Sequence, residues 1–193
     1  MIRGMRSLVP ILLLSLLPLA AQAGEKKPAP LAVRLHAEGN PKDGATFGTS
    51  IQLAYPKQKI FIKKVPVVTE NDFVSFYPFS AGNGTLGAYF KLDPNGTNKL
   101  EAHTVESRGS LSVAMIAGRV ASAMRVDKKI TDGILVIPSG FLPEEILLLQ
   151  TEFPTIGMEK DFKEQKAKAL AEIRDRQKRA EAAQPKPTAK PRS

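Results

Sequence analysis

Leu86-Gly87-Ala88-Tyr89-Phe90-Lys91-Leu92-Asp93-Pro94-Asn95-Gly96 sets a strand directly against the start of a helix. The first seven residues read as a strand entered from the Asn83-Gly84 turn. Asp93 suits an N-cap, where its carboxylate meets free N–H groups, and Pro94 suits the first helical position. Leu100, His103, Thr104 and Ser107 then recur at i, i+3, i+4 and i+7, which predicts one buried helical stripe. Arg108-Gly109 ends that helix.

Downstream, Leu111–Ile116 and Val120–Met124 flank Ala117-Gly118-Arg119 and predict a hairpin. Thr131-Asp132-Gly133 turns into Ile134–Ile137, apolar enough for a central strand. Pro143-Glu144-Glu145 opens a second helix, Glu144 to Phe153, with acids in its first turn. Upstream, Leu31–Ala37 and Ser50–Tyr55 alternate apolar and polar residues, and Lys59–Val65 is a third β-like run. Asp72–Phe79 (DFVSFYPF) fits a strand or a short helix, and Pro78 argues against a central strand position. Strands and helices in this mixture predict an α+β domain over residues 31–157.

The ends differ in kind. Arg3 and Arg6 precede an apolar run from Leu8 to Ala20, and Ala21-Gln22-Ala23 supplies a small-residue cleavage site. Residues 1–23 therefore read as a signal peptide cut after Ala23, its apolar run too short to span a bilayer as a helix. The expected location is periplasmic or secreted, with no stable membrane insertion after cleavage. Residues 24–30 are a Pro/Lys linker. Residues 158–182 predict a charged helix with a thin apolar stripe of Phe162, Ala169, Leu170 and Ile173, docked weakly if at all. Residues 183–193 are a Pro-spaced basic tail expected to be disordered. The formal charge is +9, and it sits mainly at this end: residues 159–193 carry 11 basic and 6 acidic residues. Such a segment can touch polyanions, although a solvated end explains it as well.

Composition removes whole classes of chemistry. There is no cysteine, so the domain stands on its core without disulfides, thiolate metal ligands or a cysteine nucleophile. The two histidines, His36 and His103, fall in a β run and a helix, and no G-x-S-x-G is present. Ser139-Gly140 follows a strand and reads as a loop before the helix. Asp127 and Asp132 surround Lys128 and Lys129 as a polar loop, and Glu144-Glu145 belongs to a helix start. Gly82-Asn83-Gly84 is too short to cradle a phosphate and lacks its Lys. Lys57, Lys59, Lys63 and Lys64 around Ile60-Phe61-Ile62 read as the exposed side of a strand, which also blunts an edge. The expectation is no enzyme, no catalytic, cofactor-binding or metal residues, and no cofactor.

From Phe73 to Phe153 the succession of elements resembles a known family. Leu86–Gly96, then Leu100 and Thr104, Leu111-Ser112-Val113-Ala114, the Gly118-Arg119-Val120 turn, Ser122-Ala123, Ile130, Gly133, Ile137 and Gly140-Phe141 before Glu144-Glu145 are similar to the periplasmic P1 head subdomain of the SecD/SecDF protein-export factor. The resemblance implies a small antiparallel sheet with two helices on one face, a ferredoxin-like head. It implies a head that engages translocating or newly exported polypeptide. The family's Pro after the Ser-Ala pair is Met124 here, and its Gly-Ala-Leu-Pro element is replaced by Glu152–Gly157. Its six transmembrane helices and proton-coupling residues have no counterpart in this sequence. The expected function is an exported, non-enzymatic envelope module that binds a protein or peptide partner, with addition of a strand at a sheet edge as one mode. The alternatives are a tether to wall polymer or another polyanion through the tail, and a hydrolase with an unrecognised site.

Overall fold

The computed structural model describes residues 31–54 and 57–183. The expected signal peptide, the linker and nearly all of the basic tail lie outside these residues. The element order is β1 (Val33–Ala37), β2 (Gly48–Gln52), β3 (Lys59–Lys63), β4 (Phe73–Ser80), β5 (Leu86–Leu92), α1 (Pro94–Glu106), β6 (Leu111–Ile116), β7 (Arg119–Arg125), β8 (Ile134–Phe141), α2 (Pro143–Glu152) and α3 (Glu159–Ala183). The class is α+β, as the sequence predicts.

The junction at Asp93-Pro94 forms as read. Asp93 Oδ1 accepts the Gly96 N–H at 2.7 Å, and Leu100, His103 and Thr104 are the buried stripe of α1. Asp72–Phe79 resolves into a strand, and Pro78 is tolerated because β4 pairs only with β5 and stands at a sheet edge. The β6–β7 turn is shorter than expected. Ile116 pairs with Arg119, so Ala117 and Gly118 alone make the turn, both at positive φ (48° and 80°). This is the backbone that matches the twist of two paired strands.

The strands do not join into one sheet. They form three antiparallel ladders, ordered β1-β6-β7, β2-β3 and β4-β5-β8. The break falls between β7 and β8. The pairing of β6 with β7 slips between Ala114 and Met115, which leaves Ala121 as the extra residue of a bulge. Bulges bend a strand and interrupt pairing. Ala121 then abuts Gly140 of β8, where a Cβ would lie 2.8 Å from both the Ala121 Cβ and its carbonyl oxygen. The two sheets therefore meet there by side-chain and backbone packing in place of a ladder.

One core fills the space between them. Val33 and Leu35 of β1, Ala114 and Ile116 of β6, and the inward residues of β4, β5 and β8 pack with Leu100 of α1 and Ile146 and Leu149 of α2. Both helices thus share a core with the inner face of β4-β5-β8. A smaller cluster of Leu53, Ile60, Ile62 and Val113 seats the β2-β3 hairpin on the β1-β6-β7 sheet. Glu145 ties the start of α2 to β7. Its carboxylate accepts the Leu142 N–H at 2.9 Å and pairs with Arg119.

Phe90 is fully buried and meets Phe73, Phe76 and Phe141 with ring centroids 4.3, 6.0 and 5.8 Å away. Phe90→Ala is expected to cost about 3–5 kcal/mol in urea unfolding, as large core truncations do. Tyr89→Ala, the neighbour pointing outward, is expected to cost less than about 1 kcal/mol.

Candidate functional site

The outer face of β4-β5-β8 carries the most concentrated exposed aromatic surface among the described residues. Strand alternation sends Ala88, Phe90 and Leu92 inward, which leaves Tyr89 and Lys91 outward. The ladder register then aligns Tyr77 with Tyr89 and Tyr89 with Val136 in one row across three strands. These side chains are 53%, 39% and 36% exposed. Phe79 extends the patch, its ring 4.9 Å from that of Tyr89. Phe79 lies over Gly87, where a Cβ would come within 2.4 Å of the ring. A side chain at position 87 would thus displace Phe79.

The opposite end of this face is held by the start of α3. Glu159 Oε1 accepts the Ser75 hydroxyl at 2.8 Å and the Lys91 ammonium at 3.2 Å. The Glu159 carboxyl is held at a pKa of about 2, first by its own backbone N–H, then by the Ser75 hydroxyl and by Lys91, against a smaller opposing effect of burial. Next to it, the Phe76 N–H donates to Pro154 O and the Ile156 N–H to Phe76 O, which covers the outer edge of β4. Phe162 of α3 is half-buried, while Leu170 and Ile173 of the expected stripe are exposed at 59% and 52%. The helix therefore docks at its first turns.

The edges best placed for strand addition are largely taken. Val67 and Val68 bond to Leu35 along the edge of β1, and residues 154–156 cover β4. β7 and β8 meet at the Ala121–Gly140 contact. What remains open among the described residues is the flat aromatic face and the outer edge of β2, a strand of mostly polar residues.

The other residues singled out in the sequence are placed as follows. His36 is buried and donates from Nδ1 to the Lys63 carbonyl at 2.8 Å, tying β1 to β3. Ser139 lies within β8, not in a loop, because β8 continues to Phe141. Asn83 Oδ1 accepts from the Thr85 N–H and hydroxyl and shapes the β4–β5 turn. Asp132 accepts the Ile134 N–H at 3.0 Å. Lys59 and Lys63 point outward on β3. Glu144 is exposed, and Glu145 serves the α2 start. No group of three or more potential metal ligands exists among the described residues.

His103 has a fuller environment than its sequence context indicates. It is buried, with Nε2 2.7 Å from Ser112 Oγ and Nδ1 3.2 Å from Ser107 Oγ. Burial lowers its pKa, and the Lys63 charge lowers it further against an opposing pull from Glu106. The imidazole is thus neutral at pH 7. A hydroxyl beside a neutral imidazole is the core of a Ser–His pair. Here, however, Ser112 sits within β6 with ladder partners on both sides, and a hydroxyl, not a carboxylate, occupies the second ring nitrogen.

Sequence reasoning missed the aromatic row and the Asp72–Lys99 pair. Asp72 is buried, and Lys99 of α1 donates to it at 2.8 Å. Burial pushes its pKa up, but the hydrogen bonds from Lys99 and Thr69 and the Lys99 charge together bring it below the ordinary value. Periodicity gives Tyr89 its outward direction. The partnership with Tyr77 and Val136 depends on register, which no local pattern encodes.

No family model matches this chain, and no curated protein matches it. Solved structures similar to this chain include two of SecDF. One is a crystal structure of SecDF in a super-membrane-facing form, at 18% identity and a TM-score of 0.41, covering 59% of this chain and 17% of that one. The other is a structure of the membrane component SecDF, described as enhancing protein export, at 19% identity and a TM-score of 0.43, covering 61% of this chain and 59% of that one. These are structures of the family that residues 73–153 resemble.

The Glu159 clamp has a pH signature. Its folded pKa lies below the ordinary 4.5, so its contribution is present above about 4.5 and is lost as pH falls toward about 2. Glu159→Gln is expected to lower stability at pH 7 and to flatten the loss between those two values. Urea midpoints measured against pH for both proteins check this.

Proposed function

We propose that this chain is an exported, non-enzymatic binding module of the cell envelope that engages a protein or peptide partner through the Tyr77–Tyr89–Val136 face. The observation that carries this reading is the exposed aromatic row itself. Tyr side chains present large rigid area with a polar tip, and aromatic residues dominate the energetic centres of protein interfaces. A contiguous exposed apolar patch is the ordinary mark of such a surface.

Residues 1–23 support export, with cleavage after Ala23 and a periplasmic or secreted product. No helix among the described residues is long and apolar enough to cross a membrane. The family resemblance read from the sequence agrees with a polypeptide partner. The placement of Ser112 inside the β6 ladder, and of a hydroxyl rather than a carboxylate on His103 Nδ1, supports a non-enzymatic role.

The 2.7 Å contact between His103 and Ser112 favours one second reading, a hydrolase with Ser112 as nucleophile. Hydrolysis of a short-chain nitrophenyl ester, abolished by Ser112→Ala and by His103→Ala, would establish it in place of the binding role.

The test of the main reading is fluorescence anisotropy with a labelled, reduced and alkylated polypeptide that cannot fold. The double variant Tyr77→Ser/Tyr89→Ser is expected to weaken binding roughly tenfold or more while the thermal melt stays close to wild type. A wild-type protein that does not bind, or a double variant that binds equally, refutes the face. Deleting 174–193, which spares the Glu159 clamp, separates the tail: steeply salt-dependent binding that vanishes with this segment would assign the affinity to the basic end. Mass spectrometry of the exported chain is expected to find Gly24 at its N-terminus.

A further inference from the structure

The His103–Ser112 pair also lines a cavity of about 330 Å³, which shares Val136 with the aromatic face but is not lined by Tyr77 or Tyr89. This volume lies at the lower end of the range of small-molecule sites, roughly 300–1,000 Å³. The walls are Leu35 of β1, Leu100 of α1, Met124 of β7, Leu135 of β8, and Val126 and Ile130 of the β7–β8 connection.

The polar groups lining the cavity are already satisfied. Both ring nitrogens of His103 have hydroxyl partners. Thr104 Oγ1 accepts the Ile130 N–H at 3.1 Å and donates to the Glu101 carbonyl at 3.0 Å. The interior therefore calls for apolar matter. The connection over it is anchored. Val126 N–H donates to Ser110 O at 2.9 Å, and Lys129 pairs with Glu101 at 2.6 Å. A cavity with a fixed roof avoids the ordering cost of binding.

Charge at the rim selects the other end of the ligand. Arg125, Asp127 and Lys128 border the cavity. Arg125 spends Nη1 on the Gly109 carbonyl, at 2.6 Å. Among the described residues, neither Asp127 nor Lys128 is in an ion pair. The rim thus has one positive charge in excess beside an apolar chamber.

We propose that this cavity binds a small monoanionic amphiphile, a medium-chain carboxylate whose chain lies against Met124, Val126 and Ile130 over a floor of Leu35, Leu100 and Leu135 and whose head meets Lys128 and Arg125. A free carboxylate and an acyl chain of a membrane lipid share this chemistry. The small volume selects a single free chain.

The test is calorimetric titration of the full chain with decanoate below its micelle-forming concentration. Saturable one-to-one binding is expected, with decyltrimethylammonium binding more weakly. Lys128→Glu should weaken decanoate roughly fivefold, and the effect should shrink with salt. Ile130→Trp, or Met124→Trp if the first variant loses its native circular dichroism, should abolish binding. Tyr77→Ser/Tyr89→Ser should leave it unchanged. Absence of saturable binding overturns the proposal, as does equal or tighter binding of decyltrimethylammonium, or binding that survives the Trp variants. Sedimentation with phosphatidylglycerol vesicles distinguishes the source. The Trp variants should sediment as wild type does, and vesicle binding that depends on this cavity without decanoate binding would overturn the free-ligand proposal.

Discussion

The structure depends on the burial of Phe90. Its ring sits on the middle strand of β4-β5-β8 and touches rings from both neighbouring strands, Phe76 on β4 and Phe141 on β8. Phe73 stacks on it and in turn meets Phe153, just beyond α2, at 5.9 Å. One side chain thus fixes the sheet, and through Phe73 the end of a helix. Without cysteine the chain has no covalent substitute for this contact. The same alternation that buries Phe90 pushes Tyr89 and Lys91 to the other side. The interior constraint and the exposed aromatic face are two results of one strand.

A second constraint joins α1 to the start of β4. A Cβ at Gly96 would lie 2.7 Å from Asp72 Cβ, so the helix start can approach only as glycine. The Asp72 carboxylate accepts from Lys99 and from the Thr69 N–H, and its backbone carbonyl accepts the Asp93 N–H. The Asp93-Pro94 junction is therefore held locally by its own cap and at long range by Asp72. A buried carboxylate with these partners is costly to orphan, more than its pairing is worth in isolation.

What could be read in the sequence follows from what is local. The α1 cap and stripe, the β6–β7 hairpin and the strand directions all rest on neighbours within a few residues. The partition into separate sheets rests on the slip at Ala121, a non-local event that leaves no compositional mark. Ser139 reads as a loop residue because it stands between the apolar run ending at Ile137 and the start of α2, yet β8 continues to Phe141. The Tyr77–Tyr89–Val136 row was hidden in the same way. Each residue lay in a recognised run, but their alignment follows from β4, β5 and β8 being neighbours. Asp72 and Lys99 lie 27 positions apart and gave no pattern to detect.

The clamp between Ser75 and Glu159 closes a separation of 84 residues. Phe76 takes its outer backbone partners from Pro154 and Ile156. In a chain that emerges N-terminus first, β4 waits with a bare edge until almost the whole domain has appeared. Such late, long-range closure slows folding and exposes an unpaired strand in the meantime. Pro78 in the middle of that strand offers no N–H to a stray neighbour, so it shields the interval before residues 154–159 arrive.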